Sequence, residues 1–448
     1  VNFVPEMAQM KATVETPEAP SMTKYFGYAG KLIREVRQSM NDNAGNGDTR
    51  DIETVFLYDD LGRMVAESLP RRVGDSSNLK WTQVDYDPLG RETSRVLPDG
   101  TVRTTTYNGY YNQITTSFPD GVTETTIEKR DSLGNPVENW NIGTQEQLTY
   151  TSIPSGDPDI RIEYDAVGNV RKRQRVKNGS NITVTENFYD AKGYQRIRMT
   201  DMAMGEWEYG YDSKGRLRWQ EDARGKDTYL SYDTLDRPTL KVIDGKVSQF
   251  EYYDSTTAEG GSVGALRRSI QYTYGTDSSV VTQKGYFYDS FGRVETELQE
   301  IDGKYFYKHF GYHAELNRLQ KKSFFWRPKE LQDDYTQKPF AWQSYGVKYL
   351  YNSRGAMTLV KDSHNKTWWS NPEYDNFGRV IEYTNGNGVR TIHDIDPLTQ
   401  RVESILSTKS SYRYQDWSYE YTGNGNLESR TDNRSFPGYF SSSQTESY

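Results

Sequence analysis

"YDSFGRVETELQEIDG", residues 288–303, is one copy of a phrase that this chain keeps rewriting. "YDDLGRM" begins at Tyr58, "YDPLGRE" at Tyr86, "YDAVGNV" at Tyr164 and "YDAKGYQ" at Tyr189. "YDSKGRL" follows at Tyr211, "YDTLDRP" at Tyr232 and "YDNFGRV" at Tyr374. Looser copies start at Arg130, Tyr351 and Tyr421. Where the spacing is cleanest, from Tyr189 through Tyr211 to Tyr232, it is about 21 residues, and longer gaps hide degenerate copies. A recurrence of this length marks a repeat architecture in which neighbouring units share one core.

The chemistry of one unit follows from its residue order. Asp first and Gly fourth, with Pro second in Asp87-Pro88-Leu89-Gly90, is the order of a type I turn. The Asp side chain accepts local N–H groups, and Gly takes the left-handed conformation without a Cβ penalty. The same reading applies to Asp59 with Gly62, Asp165 with Gly168, Asp190 with Gly193, Asp212 with Gly215, Asp289 with Gly292 and Asp375 with Gly378. The unit opened by Asp233 has Asp236 where Gly is expected, and Asp tolerates that region better than most residues. After the turn, Val294, Thr296 and Leu298 alternate with Arg293, Glu295 and Glu297, which is the period of a strand. Asp302-Gly303 then signals a two-residue hairpin, as do Asp99-Gly100, Asp120-Gly121, Asp244-Gly245 and Asn178-Gly179.

One hairpin is not stable alone in water, so units must pair edge to edge. The expected fold is all-β: tandem antiparallel hairpins forming one continuous curved or spiral sheet, partial or open. Tyr is the expected stitch between units. The chain has 36 Tyr against 23 Leu, an inversion of ordinary usage. A Tyr ring buries apolar area while its hydroxyl stays able to bond.

Composition narrows the function. Only 34% of residues are hydrophobic and mean hydropathy is −0.91, while 14% are aromatic. That combination fits a sheet with one packed and one wet face better than a closed globule or a disordered chain. A net charge of −8 with no dominant basic stripe argues against a nucleic-acid partner, and no apolar run is long enough to span a membrane. The basic run Arg171 to Lys177 would divide between two strand faces. There is no Cys, hence no disulfide or thiol chemistry. His309 and His313 have the i,i+4 spacing of zinc ligands on a helix, but in a strand they stand about 13 Å apart. Residues 42–53 carry Asp, Asn, Gly and Glu at four positions of a calcium loop, with Ala44 at a ligand position. No nucleophile elbow or phosphate loop is present. The recurring Asp residues recur as turn residues, so no catalytic, cofactor or metal residue is assigned, and the expectation is a protein that is not an enzyme.

Residues 1–50 lack the phrase and read as a lead-in, and 51–448 form the array. Insertions are expected near 254–264 and at 324–346.

Tyr-Asp-x-x-Gly-Arg followed about ten residues later by Asp-Gly resembles the YD (Rhs) repeat, over about nine-tenths of the chain. Bacterial Rhs and wall-associated polymorphic toxins, the B and C components of Tc toxin complexes, and animal teneurins carry it. The resemblance implies a spiral strip of sheet wound into a hollow shell, which in bacterial members encloses a C-terminal toxic domain. It implies a structural shell segment of a large secreted or surface-delivered bacterial protein, its signal outside this chain, whose partners are the rest of the polypeptide, an enclosed C-terminal cargo and the secretion machinery. The D-P-x-G boundary motif usual in such shells is missing, since "DPLTQR" at Asp396 is a turn inside a variant unit. The alternative is a surface adhesin or fibre whose aromatics, "KTWWSN" at 366–371 among them, hold a glycan or protein.

Overall fold

The computed structural model describes residues 8–15, 20–42, 47–143, 156–254, 262–273, 280–301, 304–313, 318–327, 345–434 and 443–448. These residues contain 35 strands and no helix. Each strand pairs antiparallel with the next along the chain, from Met10–Val14 against Met22–Phe26 to Leu427–Asp432 against Gln444–Ser447. One short branch interrupts this order. The first half of Ile52–Tyr58 pairs with Arg71–Arg72 and its last residues with Met64–Ser68, which passes the ladder on to Trp81–Tyr86. The result is a single open meander in which, apart from that branch, sequence neighbours are spatial neighbours.

The Tyr-Asp turns all fall on one edge of this strip. At Asp289 the backbone N–H donates to the Arg293 carbonyl at 2.9 Å, and the Gly292 N–H donates back to the Asp289 carbonyl at 3.0 Å. Gly292 has φ 77°, so the turn is type I closed by a left-handed residue that bulges the strand. In the unit lacking Gly, Asp236 adopts φ 64° itself. The same pair of hydrogen bonds occurs at Gly27 to Lys31, with Gly30 at φ 68°, inside the segment read from sequence as a lead-in. The strands around it, Met22–Phe26 and Leu32–Arg37, belong to the same ladder.

The opposite edge holds two kinds of turn, and here one expectation is corrected. Asn178-Gly179 and Asp244-Gly245 are two-residue hairpins, with both residues at positive φ and the flanking residues directly paired. Asp99-Gly100 and Asp120-Gly121 are not. There the Leu97 N–H reaches the Thr101 carbonyl and the Phe118 N–H the Val122 carbonyl, enclosing three residues. Pro98 and Pro119 supply the reason: a φ fixed near −65° suits the second position of a type I turn, which moves Asp into the third. The Asp302-Gly303 pair and most of both expected insertions lie outside the described residues.

A one-layer sheet has a thin core. One deeply buried apolar group, Phe287, Leu298 and Tyr307, each about 2% exposed, shares one face through the pairs Phe287–Thr296 and Leu298–Tyr307. The strip also returns upon itself. Turns at 352–356, 375–379 and 422–426 bond to residues 37–49, Pro70 and 120–124, across separations of 300 to 339 residues. The turn edge of the later lap therefore rests on the opposite edge of the earlier one.

Replacing Gly292 with Val tests the turn. A Cβ there would stand 3.3 Å from the Ser262 hydroxyl, and a β-branched residue resists positive φ. Thermal or urea unfolding should show a loss of more than about 1 kcal/mol, and a variant that unfolds like the parent would remove the assignment.

Candidate functional site

The site with the most built geometry in this molecule is the repeated latch between consecutive turns. Its anchor is the turn carboxylate. One oxygen of Asp59, Asp87, Asp165, Asp212, Asp233, Asp289 and Asp375 accepts the N–H groups two and four residues ahead, at 2.8–3.0 Å. Asp190 sits in a turn one residue longer and accepts from Tyr194 and Gln195. The φ values are 75° at Gly62, 81° at Gly90, 94° at Gly168, 73° at Gly193, 85° at Gly215 and 82° at Gly378. The second carboxylate oxygen takes the Nε–H of Arg63, Arg91, Arg216, Arg237, Arg293 and Arg379 at 2.6–2.7 Å. Asn169 takes that place beside Asp165, through its amide at 2.9 Å.

A partly exposed pair of this kind is worth only about 0–1 kcal/mol. Its larger effect is to aim the arginine. The Arg63 guanidinium lies 4.8 Å from the Tyr86 ring centre and donates to the Asp87 carbonyl at 3.1 Å. Arg216 repeats both contacts with Tyr232, at 4.7 Å, and Asp233, at 3.1 Å. Arg237 stacks on Tyr252 at 4.4 Å and Arg293 on Tyr312 at 4.3 Å. The tyrosine answers: the Tyr86 hydroxyl donates to the Met64 carbonyl at 2.8 Å and that of Tyr232 to Leu217 at 2.8 Å, each just past the arginine of the previous turn. Tyr58, Tyr164, Tyr189, Tyr211, Tyr288 and Tyr374 donate in the same way, at 2.7–3.2 Å. Each latch adds a hydrogen bond worth about 1 kcal/mol and a cation–π contact of about 0.5–1 kcal/mol.

Sequence reading missed part of this set. Tyr107, Tyr252 and Tyr312 make the same hydroxyl bond, to Glu92, Pro238 and Val294, although no recognisable Tyr-Asp-x-x-Gly phrase follows them. The available signal was an arginine-bearing turn upstream of a strand-ending tyrosine, as in Arg91 before Tyr107, Arg237 before Tyr252 and Arg293 before Tyr312. The arginines themselves were quoted within the phrase and given no role.

Other sequence candidates have ordinary surroundings. The Nδ1 of His309 lies 3.2 Å from the Thr296 hydroxyl, across a strand pair. In the calcium-like segment, Asn43 to Asn46 fall outside the described residues. The Asp48 carboxylate is held by Arg50, chiefly through its side-chain hydrogen bond, which brings its pKa down to about 2, and Glu53 is held by Arg34 and Arg71. The run at Arg171 lies on the strand Val170–Lys177, where Lys172 meets Glu186.

The seam between laps is polar and specific. The Asn41 side chain, 3% exposed, acts as a strand neighbour: its amide N–H donates to the Tyr374 carbonyl and its oxygen accepts the Tyr374 N–H, both at 2.9 Å. Arg72, also buried, donates to the same carbonyl at 3.2 Å and to Ser39 Oγ at 2.6 Å. Arg354 donates to the carbonyls of Ser39, Asn41 and Thr49. Farther along, the Gly423 N–H and the Asn424 amide donate to Asp120 and Glu124 at 2.9 Å.

Two expectations follow. At Asp212 the Arg216 backbone N–H, opposed by desolvation and aided by the guanidinium, holds the carboxyl below the ordinary 3.8; Asp131 and Asp165 are lowered by their asparagine partners. Burial pushes the Tyr374 hydroxyl up from 10.0 to about 12, and Tyr288 and Tyr351 also rise. Stability from the carboxylates is present above the unfolded value and is lost as pH falls through the lower folded values. Stability from the tyrosines is present below pH 10 and is lost as pH rises toward 12. A pH series of melting temperatures should show both limbs, and Tyr374→Phe should reduce the alkaline limb and leave the acid limb unchanged. Separately, Asn41→Ala leaves the buried Tyr374 N–H without its acceptor and should cost about 1–3 kcal/mol. Hydrogen exchange should quicken at Tyr374 and not at Tyr232, and an unchanged rate at Tyr374 would mean that the seam carries no load.

Solved structures share this architecture. A mutant of the Tc holotoxin pore of Photorhabdus luminescens matches with TM-score 0.72 at 15% identity over 95% of this chain. TcdB2-TccC3 matches with TM-score 0.70 at 14% identity over 96%, and TcdB2-TccC3 without its hypervariable C-terminal region with 0.61 at 15% over 96%. This chain spans 22–23% of the length of those chains. No protein-family model matches the sequence, and no curated protein matches it. At this identity the likeness is one of fold: the chain shares the fold of these Tc toxin structures, which fits the resemblance of its recurring phrase to the YD (Rhs) repeat.

Proposed function

We propose that this chain is a wall segment of a hollow shell, part of a larger secreted or surface-delivered bacterial protein, and that the shell confines a cargo carried on the same polypeptide. The observation that carries this reading is the lap closure at Asn41 and Tyr374, where the strip completes a circuit and bonds to itself. A fibre built from the same hairpins needs no such return. The fold neighbours support it, since they are toxin complexes and one is described by the removal of a hypervariable C-terminal region. The residues that act are architectural: each turn carboxylate fixes its arginine, each arginine and tyrosine fix the next turn, and the seam residues keep the wall shut. No bond-making step is required of any of them.

The natural full-length polypeptide should therefore resist proteinase K in segments outside the array for as long as the wall is intact. A seam-opened variant, Asn41→Ala with Arg354→Ala, should expose those segments while its Tyr-Asp turns remain uncut. Digestion at equal rates in parent and variant, or an extended filament in electron micrographs, would refute the container reading. One observation favours the second reading, a glycan- or protein-binding surface: Trp368, 38% exposed, pairs with Tyr345 at 5.7 Å. Saturable sugar binding abolished by Trp368→Ala, with no cargo protected, would establish it instead.

A further inference from the structure

Three lysines stand in register across three adjacent strands. Lys321, on Leu319–Arg327, pairs with Lys348, on Tyr345–Tyr351, and Lys348 pairs with Lys361, on Met357–Asp362. Directly opposed residues of an antiparallel pair hold their Cβ atoms about 4.5–5.5 Å apart, and like charges so placed repel. Some charged rows on this strip alternate in sign, as in Lys129–Glu138–Arg161 and Lys308–Glu297. Like-charged neighbours occur as well, in Arg95–Arg103 and Glu208–Glu221–Asp227, but there Glu92 holds Arg95 and Arg198 flanks the acidic row. Here, among the described residues, none of the three ammonium groups meets a carboxylate.

The surroundings do not relieve the charge. One pleat toward the turn edge, the same face carries Leu319, Leu350 and Leu359, and one pleat the other way it carries Ser323 and Gly346. Across the ladder the row is flanked by Gly311 and Thr367. Registers Phe287–Thr296, Thr296–His309 and His309–Ser323 show that this is the face on which Phe287, Leu298 and Tyr307 are packed. The three lysines also line one groove of about 750 Å³, closed toward the turn edge by His313, Asn352 and Ser353. Gly311 adds no side chain to the row, which leaves the approach to Lys321 open.

We infer that the Lys321–Lys348–Lys361 groove is a binding site for a compact multivalent anion bearing several phosphate groups. Three ammonium groups one strand spacing apart each offer three donors, and one phosphate-rich ligand lying across the strands satisfies all of them at once. A single monovalent anion reaches at most two. The arrangement is costly when empty and favourable when filled, which is the signature of a site and not of a fold-stabilising row.

The test uses the intact chain, inorganic tripolyphosphate as probe, and orthophosphate and hexaglutamate as comparisons at one fixed ionic strength. Tripolyphosphate should bind at least about tenfold tighter than orthophosphate and raise the melting temperature as its concentration rises. Lys348→Gln should weaken that binding about tenfold, because it removes charge-assisted bonds from the centre of the row. Without anion the same variant should melt at or above the parent, since it relieves repulsion. Lys241→Gln, on another part of the strip, should change neither measurement. Equal binding by Lys348→Gln and parent, a Lys348→Gln variant that melts lower without anion, or capture of hexaglutamate in preference to tripolyphosphate would each overturn the assignment.

Discussion

The structure depends on what one turn carboxylate does with its two oxygens. One oxygen ties down the turn by accepting two backbone N–H groups, and the other holds the arginine four residues on. Without that second bond a long, flexible guanidinium would have no fixed direction, and freezing it would cost side-chain entropy. With it, the arginine is already aimed at the next unit's tyrosine and carbonyl. A local device thus becomes a connection between units. This matters because a one-layer sheet of such low hydrophobicity has little core to rely on, and its cohesion is a sum of small, repeated terms.

Much of this was legible in the residues. Asp first, Gly fourth and a strand alternation after them determine a type I turn with a left-handed closing residue, and Asp236 shows that the backbone requirement, not glycine itself, is what the position demands. The tyrosine's fixed place beside the turn pointed to a role between units. What stayed hidden was anything not written in the phrase. Tyr107, Tyr252 and Tyr312 keep the hydroxyl bond and have lost the turn consensus, because the bond needs only a strand-ending tyrosine and an upstream carbonyl. At the other edge the dipeptide Asp-Gly was read as one turn and proved to be two, because a preceding proline fixes the backbone one residue earlier.

The seam was not legible at all. Asn41 sits in a stretch without the repeat, and its partner is 333 residues away. No periodicity links the two, and a side-chain amide that imitates a strand neighbour has no sequence signature. Nothing in the sequence singles out Arg72 or Arg354 for the same reason; only the lap places backbone carbonyls around them.

The seam also makes counting matter in this protein. Asn41 meets Tyr374 because the intervening hairpins advance the strip by one full circuit. An extra hairpin spliced between them would present a different turn to Asn41 and shift every later bond out of step. A lengthened connecting loop would not, since it leaves the number of strands unchanged. Evolution of such a wall is thus free in the size of its excursions and constrained in the tally of its strands per circuit, much as a threaded fastener tolerates any head but only one pitch.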